Sequence, residues 1–228
     1  MTQIVLLAHG SPDPRSGIAM HGFAKKIQSE INLPTALAFL DHQEPNLIDI
    51  TKDENPSEFL VVPMLLSNAF HARFDIPRAM QDAGLDRALP PIGNPIKILS
   101  DLIQSAGSRV MVVSAGSSGS KARGDFCDAV DIASRDLANS AEPAFVTGPE
   151  LTIGSRLRES QNPSGFTIIP WLLAEGRLLD VVLTQAIQHG ASVQGNGLVE
   201  EVSFVDYLSS TIQLFLQSEH YPVSEAVQ

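Results

Sequence analysis

Residues 4–14 read IVLLAHGSPDP. Five apolar residues, Ile4 to Ala8, run straight into His9, Gly10, Ser11 and two prolines. A run this uniformly apolar predicts a strand covered on both faces, as the strands of a parallel sheet are. FLVVPMLL (59–66), RVMVVSAG (109–116) and FTIIPWLL (166–173) have the same character. ALAFL after Pro34 and AFVTG after Pro143 are shorter candidates. Amphipathic stretches between them predict helices over about 15–31, 74–87, 121–138, 176–189 and 204–217. Strand alternating with helix is the signature of right-handed βαβ units, so the class is α/β.

The chain repeats itself. FLVVPMLL matches FTIIPWLL at a shift of 107 residues, and LLAHGSP (6–12) matches VVSAGSS (112–118) at a shift of 106. Two pairs in the same order at nearly the same shift predict an internal duplication. The expected organisation is an α/β lobe at 1–106 that carries the active site, a degenerate second lobe at 107–218, and a flexible tail at 219–228. The duplicate keeps the scaffold and drops the imidazoles. His9 faces Ala115, and SNAFHARFD (67–75) faces AEGRLLD (174–180), with Arg177 or Leu178 opposite His71. A scaffold that does without these histidines in one copy does not need them for folding in the other.

Composition narrows the function. The net charge of -11 argues against nonspecific nucleic-acid binding and favours cationic ligands. One cysteine, Cys127, excludes an internal disulfide and a thiolate metal cluster, and fits a reducing cytoplasm. No basic-then-apolar leader opens the chain, and no apolar run reaches the roughly 18 residues of a membrane span.

In open parallel sheets, ligands bind beyond the carboxyl ends of the strands. His9 ends one strand, and His71 follows another by a short turn. Neutral imidazole ligates first-row divalent metals and accepts protons near neutral pH. Asp41 follows ALAFL directly and Glu44 lies three residues on, so either can supply a carboxylate. Two histidines and one acid make an open site that suits a metal in transit, whereas a structural zinc site wants four closed ligands. Ser11 and nearby N–H groups are candidates for holding an anion at the next helix N-terminus. A histidine-phosphatase reading of LLAHG requires an arginine before the histidine, and Ala8 stands there.

LLAHGSPDPR, ALAFLDHQEP and VVPMLLSNAFHARFDIP, in that order, resemble the class II chelatases, the CbiX/SirB group of sirohydrochlorin cobalt and iron chelatases. The resemblance implies two flavodoxin-like lobes with parallel sheets and a tetrapyrrole cleft between them. It implies that His9 and His71 bind metal and, with Asp41, carry the catalysis; Asp41 stands where the family usually has glutamate. Phe70 would form an aromatic wall. Sirohydrochlorin has eight carboxylates, for which Ser11, Arg15, Arg73, Lys121 and Arg123 are candidate holders; Arg78 also flanks the motifs. The expected activity is insertion of Fe2+ into sirohydrochlorin to make sirohaem, a lyase reaction. Co2+ insertion for cobalamin is the alternative, and a non-catalytic metal or tetrapyrrole carrier a third reading. No permanently bound cofactor is expected; the divalent metal (Fe2+, with Co2+ or Ni2+ as alternatives) is a substrate. A cytoplasmic monomer without nucleic-acid or membrane partners completes the expectation.

Overall fold

In the computed structural model, which describes residues 2–67 and 74–220, Ile4–Leu7 are wholly buried. They lie in β1 (Gln3–Ala8), the centre of a three-stranded parallel sheet between β2 (Thr35–Phe39) and β3 (Phe59–Met64). Leu6 pairs with Leu37 on one side and Val62 on the other. The second sheet repeats this order around β4 (Arg109–Ser114), flanked by β5 (Ser140–Phe145) and β6 (Thr167–Trp171). It adds the two-residue strand β7 (Ser192–Val193) beyond β6. Prolines sit where a missing N–H costs the ladder least. Pro63 and Pro143 lie on margin strands, and Pro170 lies past the two β6 residues that pair with β7.

The helices follow the same repeat: α1 (Pro14–Ile31), α2 (Leu47–Thr51), α3 (Ile76–Asp82) and α4 (Ile96–Ser105) in the first half. The second half has α5 (Ser120–Ser134), α6 (Ile153–Glu159), α7 (Arg177–His189) and α8 (Val202–His220). The Asp13 side chain caps α1 by accepting the Arg15 N–H at 3.1 Å, and Asn32 closes the helix in the left-handed conformation. Met20, Phe23, Ala24, Ile27 and Ile31 form its buried stripe.

Several elements differ from expectation. The helix expected over 74–87 is the seven-residue α3; past Gly84 the chain extends, and Arg87 and Leu89 bond to Val61 as a strand would. The bonds of Ser192 and Gln194 to Phe166 and Ile168 are the equivalent in the second half. Helix α5 stops at Ser134, short of 138. Helix α8 runs to His220, past the expected start of the tail, and residues 221–228 lie outside the described residues. Helix α4 was not expected at all.

The duplication is also an exchange. Helix α4, last in the first half, packs on α5, first in the second; α8, last in the second half, packs on α1, first in the first. Phe23 of α1 stacks on Phe204 of α8 with ring centroids 5.6 Å apart. One hydrophobic core therefore runs through both sheets, from Leu6 and Val62 to Val112 and Ile169. The repeat boundary near 106 is not a boundary in the packing. Among the described residues no helix is long and apolar enough to cross a membrane.

Candidate active site

The carboxyl ends of β1, β3, β4 and β6 converge on one cavity of about 470 Å3. Its floor is apolar, with Met20, Phe39 and Met64 from the first half and Phe126, Phe145 and Trp171 from the second. Its rim is polar and differs between the two sides. His9 and Ser11 stand on the first-half side; Ser117, Arg123, Glu175 and Arg177 stand on the other.

Two equivalent turns form the facing walls. After β1, the His9 carbonyl accepts the Asp41 N–H at 2.9 Å; after β4, the Ala115 carbonyl accepts the Thr147 N–H at 3.0 Å. Gly10 and Gly116 follow at φ 90° and 97°. A Cβ on either would be driven into the carbonyl oxygen opposite, Asp41 or Thr147, so both the left-handed φ and the close approach require glycine. The backbone is thus copied, and only the side chains changed.

His9 is half-buried, and its Nδ1 lies 3.3 Å from the Gly10 carbonyl oxygen. A carbonyl only accepts, so this contact favours a proton on Nδ1, and the neutral ring then carries its lone pair on Nε2. The His42 ring comes within 6.2 Å of the His9 ring, centroid to centroid. His42 takes a left-handed backbone, φ 64°, which turns the chain so that Asp41 serves its own neighbour. Asp41 Oδ1 accepts the His42 N–H at 2.7 Å, and Oδ2 lies 3.5 Å from His42 Nε2. The exposed Asp41 carboxylate, expected beside the metal, is therefore outside the cavity lining and addresses His42. Glu44 is also exposed and outside the lining. His71, Phe70 and Arg73 lie outside the described residues. Among the described residues, no group of three or more His, Cys, Asp and Glu is arranged to hold a metal ion.

The basic candidates separate sharply. Arg15 does not line the cavity. Its guanidinium is shared between Asp13 (Nε to Oδ1 3.1 Å, a terminal nitrogen to Oδ2 2.6 Å) and Asp180 of α7 (3.0 and 2.6 Å). Hydrogen bonds from Arg15 hold both carboxyls below the usual carboxylate range, and those carboxylates in turn push the Arg15 pKa up. Arg15 thereby ties the two halves together beside the cavity mouth. Lys121 is exposed and paired with Asp125 at 2.7 Å, one helical turn away. Arg123 does line the cavity, and one of its terminal nitrogens donates to the carbonyls of Ser117 (2.7 Å) and Ser118 (3.0 Å). Ser11 lines the cavity too, but its N–H donates to Gln43 Oε1 and its Oγ accepts the Asp13 N–H, so it serves the turn. Cys127 is half-buried against the core, and burial, with Asp131 and Asp128 nearby, pushes its thiol pKa up, away from nucleophilic use.

Sequence reasoning missed Arg177 and Glu175 as lining residues. Their signal was the shortened connection: β3 and α3 are joined by residues 65–75, β6 and α7 by 172–176. The segment with His71 has no residue-by-residue counterpart, so pairing His71 with Arg177 or Leu178 does not hold. The shorter link starts a helix at the cavity rim instead. Trp171 is 1% exposed yet borders the cavity, and its Nε1–H donates to Asn94 Oδ1 at 2.9 Å across the two halves.

Comparisons with known proteins agree with the resemblance seen in the motifs. The CbiX family model matches residues 3–99. Sirohydrochlorin ferrochelatase of Bacillus subtilis (strain 168) is 23% identical over 202 residues, 78% of this chain and 77% of that protein. The solved structure of SirB from Bacillus subtilis with Fe3+ superposes with a TM-score of 0.75 at 20% identity, covering 93% of this chain and 95% of that one. CbiX, described as the terminal enzyme for biosynthesis of siroheme in denitrifying bacteria, gives 0.71 at 19%, over 94% and 99%. SirB from Bacillus subtilis subspecies spizizenii in complex with cobalt gives 0.65 at 19%, over 92% and 93%. The CbiX match spans the half that carries the motifs, and the expected two-sheet α/β fold is borne out.

Proposed function

We propose that this chain is a sirohydrochlorin chelatase that inserts Fe2+, with its active centre on the first-half wall of the cleft. The observation that carries the reading is the cavity itself: an apolar floor suited to a flat macrocycle, with imidazole on one side and guanidinium on the other. The relatives named for sirohydrochlorin and siroheme chemistry support the substrate. Co2+ is the second reading for the cargo, favoured by the cobalt complex of one structural relative.

Insertion must deliver the ion and remove two pyrrole protons. Two N–H bonds break, metal–nitrogen bonds form, and two protons leave for each M2+ that enters. His9, with His71, would hold the ion loosely through neutral imidazole nitrogens and then take protons as the macrocycle nitrogens replace them. His42, 6.2 Å from His9, is the next imidazole along, and Asp41 would hold its ring in place. In this reading Asp41 acts through His42. Phe70 and Arg73 would flank His71, and Ser11 and Arg123 would meet the macrocycle edge; Lys121 and Arg15 would have to leave their carboxylate partners to do so. The metal is substrate, so no permanent cofactor is required. A monomer in the reducing cytoplasm fits one site per chain and a single cysteine.

The test is turnover. Sirohydrochlorin with Fe2+ or Co2+, held anaerobically and followed by absorbance, should be metallated well above the uncatalysed rate. Binding of metal or tetrapyrrole with no acceleration would make the chain a carrier and end the chelatase reading.

A further inference from the structure

In a chain of net charge -11, several cations are held by a local carboxylate. Arg15 pairs with Asp13 and Asp180, Lys26 with Glu200, Lys97 with Asp101 and Lys121 with Asp125. Two arginines in the cavity lining break this pattern. Among the described residues, neither Arg123 nor Arg177 forms an ion pair with a carboxylate, although Arg177 is near enough to Asp13 to help hold its carboxyl low. Both lie in the second half. The repeat places Gly17 where Arg123 would be in the first half, and a Cβ there would meet the Gln43 side chain. Arg177 opens α7, whose counterpart α3 opens with the buried Ile76. Among the described residues, the guanidinium groups that line the cavity therefore stand on one wall, opposite His9. Ala115, standing where His9 stands in the first half, leaves room beside them.

We infer that the second half, having lost the imidazoles, serves as the anion-recognition wall of the same cleft. Arg123 and Arg177 together bind peripheral carboxylates of a flat polycarboxylate macrocycle. The inference rests on the tetrapyrrole reading above and specifies which wall faces the carboxylates. A guanidinium in a half-enclosed cleft pairs strongly with a carboxylate because it binds in a planar, two-pronged manner with little competing water. Arg123 is already oriented by the Ser117 and Ser118 carbonyls, which lowers the cost of holding it in place. Arg177, exposed at the rim, would select for charge at the edge of the ring.

Trp171 reports on this directly, being the only tryptophan and part of the cavity lining. Its fluorescence should be quenched on titration with metal-free uroporphyrin, an octacarboxylate, and far less by the uroporphyrin octamethyl ester. Arg177→Gln should weaken uroporphyrin binding about tenfold and the Arg123→Gln, Arg177→Gln double variant further, with the loss shrinking at high salt. Because Arg123 also holds its turn, Arg123→Lys accompanies it and should retain part of the affinity. Arg135→Gln, at the far end of α5, removes the same charge and should bind as the parent does. Unchanged affinity in Arg177→Gln and the double variant, or an ester that binds as tightly as the acid, would overturn the assignment. Metal insertion is measured separately on the unmodified chain. Arginine-dependent uroporphyrin binding without insertion would contradict the chelatase reading and support the arginine wall; insertion with affinity unchanged in both arginine variants would do the reverse.

Discussion

Two backbone hydrogen bonds, Asp41 to His9 and Thr147 to Ala115, show how alike the facing turns are and how little of the chemistry was kept. An imidazole present in only one of two equal turns is not required by the turn. His9→Ala should therefore lower kcat for metal insertion by at least about 100-fold, the lower range for loss of a general base, while circular dichroism and Tm stay near the parent values. Ala115→His should not supply a second centre. Thr147 faces it where Asp41 faces His9, and the long 65–75 segment with His71 has no equivalent. Titration of apo-protein with Co2+ should show one specific site in the parent and one in Ala115→His; two equivalent sites in either would refute the single-centre account. The place of His9 was legible in the sequence because it ends an apolar run and faces Ala115 in the repeat. The role of Asp41 was only half legible. Its position after β2 can be read from the pattern, but the left-handed backbone at His42 that turns the carboxylate away cannot. Arg177 was hidden because a cation at the start of a helix looks like any solvated charge until the cavity is in view.

The strand–turn–helix unit around Gly10 is the smallest piece that carries both fold and function. Gly10→Ala and Gly116→Ala face the same left-handed φ and the same carbonyl contact, so each should lose about 1–3 kcal/mol from backbone strain, with the contact adding to it. Their effects on turnover should differ widely. Gly10→Ala moves His9 and should cripple insertion, whereas Gly116→Ala moves Ala115 and should leave most of it. Urea denaturation and turnover at a temperature where both variants are folded check this; equal activity losses would contradict the division between the halves. The principal strands and helices were visible as apolar runs and amphipathic periods. Helix α4 was not, although Ile98, Leu99, Leu102 and Ile103 give it a clear buried face. It begins directly after a stretch containing Pro90, Pro91, Gly93 and Pro95, which reads as loop and boundary, and its partners lie in the other half of the chain.

The two halves are interlocked, and this governs how the molecule should unfold. With α4 on α5 and α8 on α1 around one core, thermal unfolding should be a single transition. Phe204→Ala, at a wholly buried ring stacked on Phe23, should cost about 3–5 kcal/mol without splitting that transition in two. The Arg15 tie adds an acid sensitivity. Asp13 and Asp180 are held below their ordinary pKa, so the pairing stabilises the folded chain above an unfolded-state pKa near about 3.9 and is lost as pH falls below it. Asp180→Asn should lower Tm by about 1–3 °C at neutral pH, as a half-exposed pair would, with the difference from the parent shrinking as pH falls from about 4 to about 3. A difference that persists undiminished at that pH would show that the charge pair is not its source. The interlocked halves line one cleft between them. The most direct test compares the parent chain with His9→Ala in anaerobic insertion of Fe2+ and Co2+ into sirohydrochlorin, alongside Trp171 quenching by uroporphyrin. The account predicts a fast parent and a His9→Ala variant at least about 100-fold slower that still quenches with parental affinity. An idle parent, or a His9→Ala variant that inserts metal at the parental rate, would contradict it.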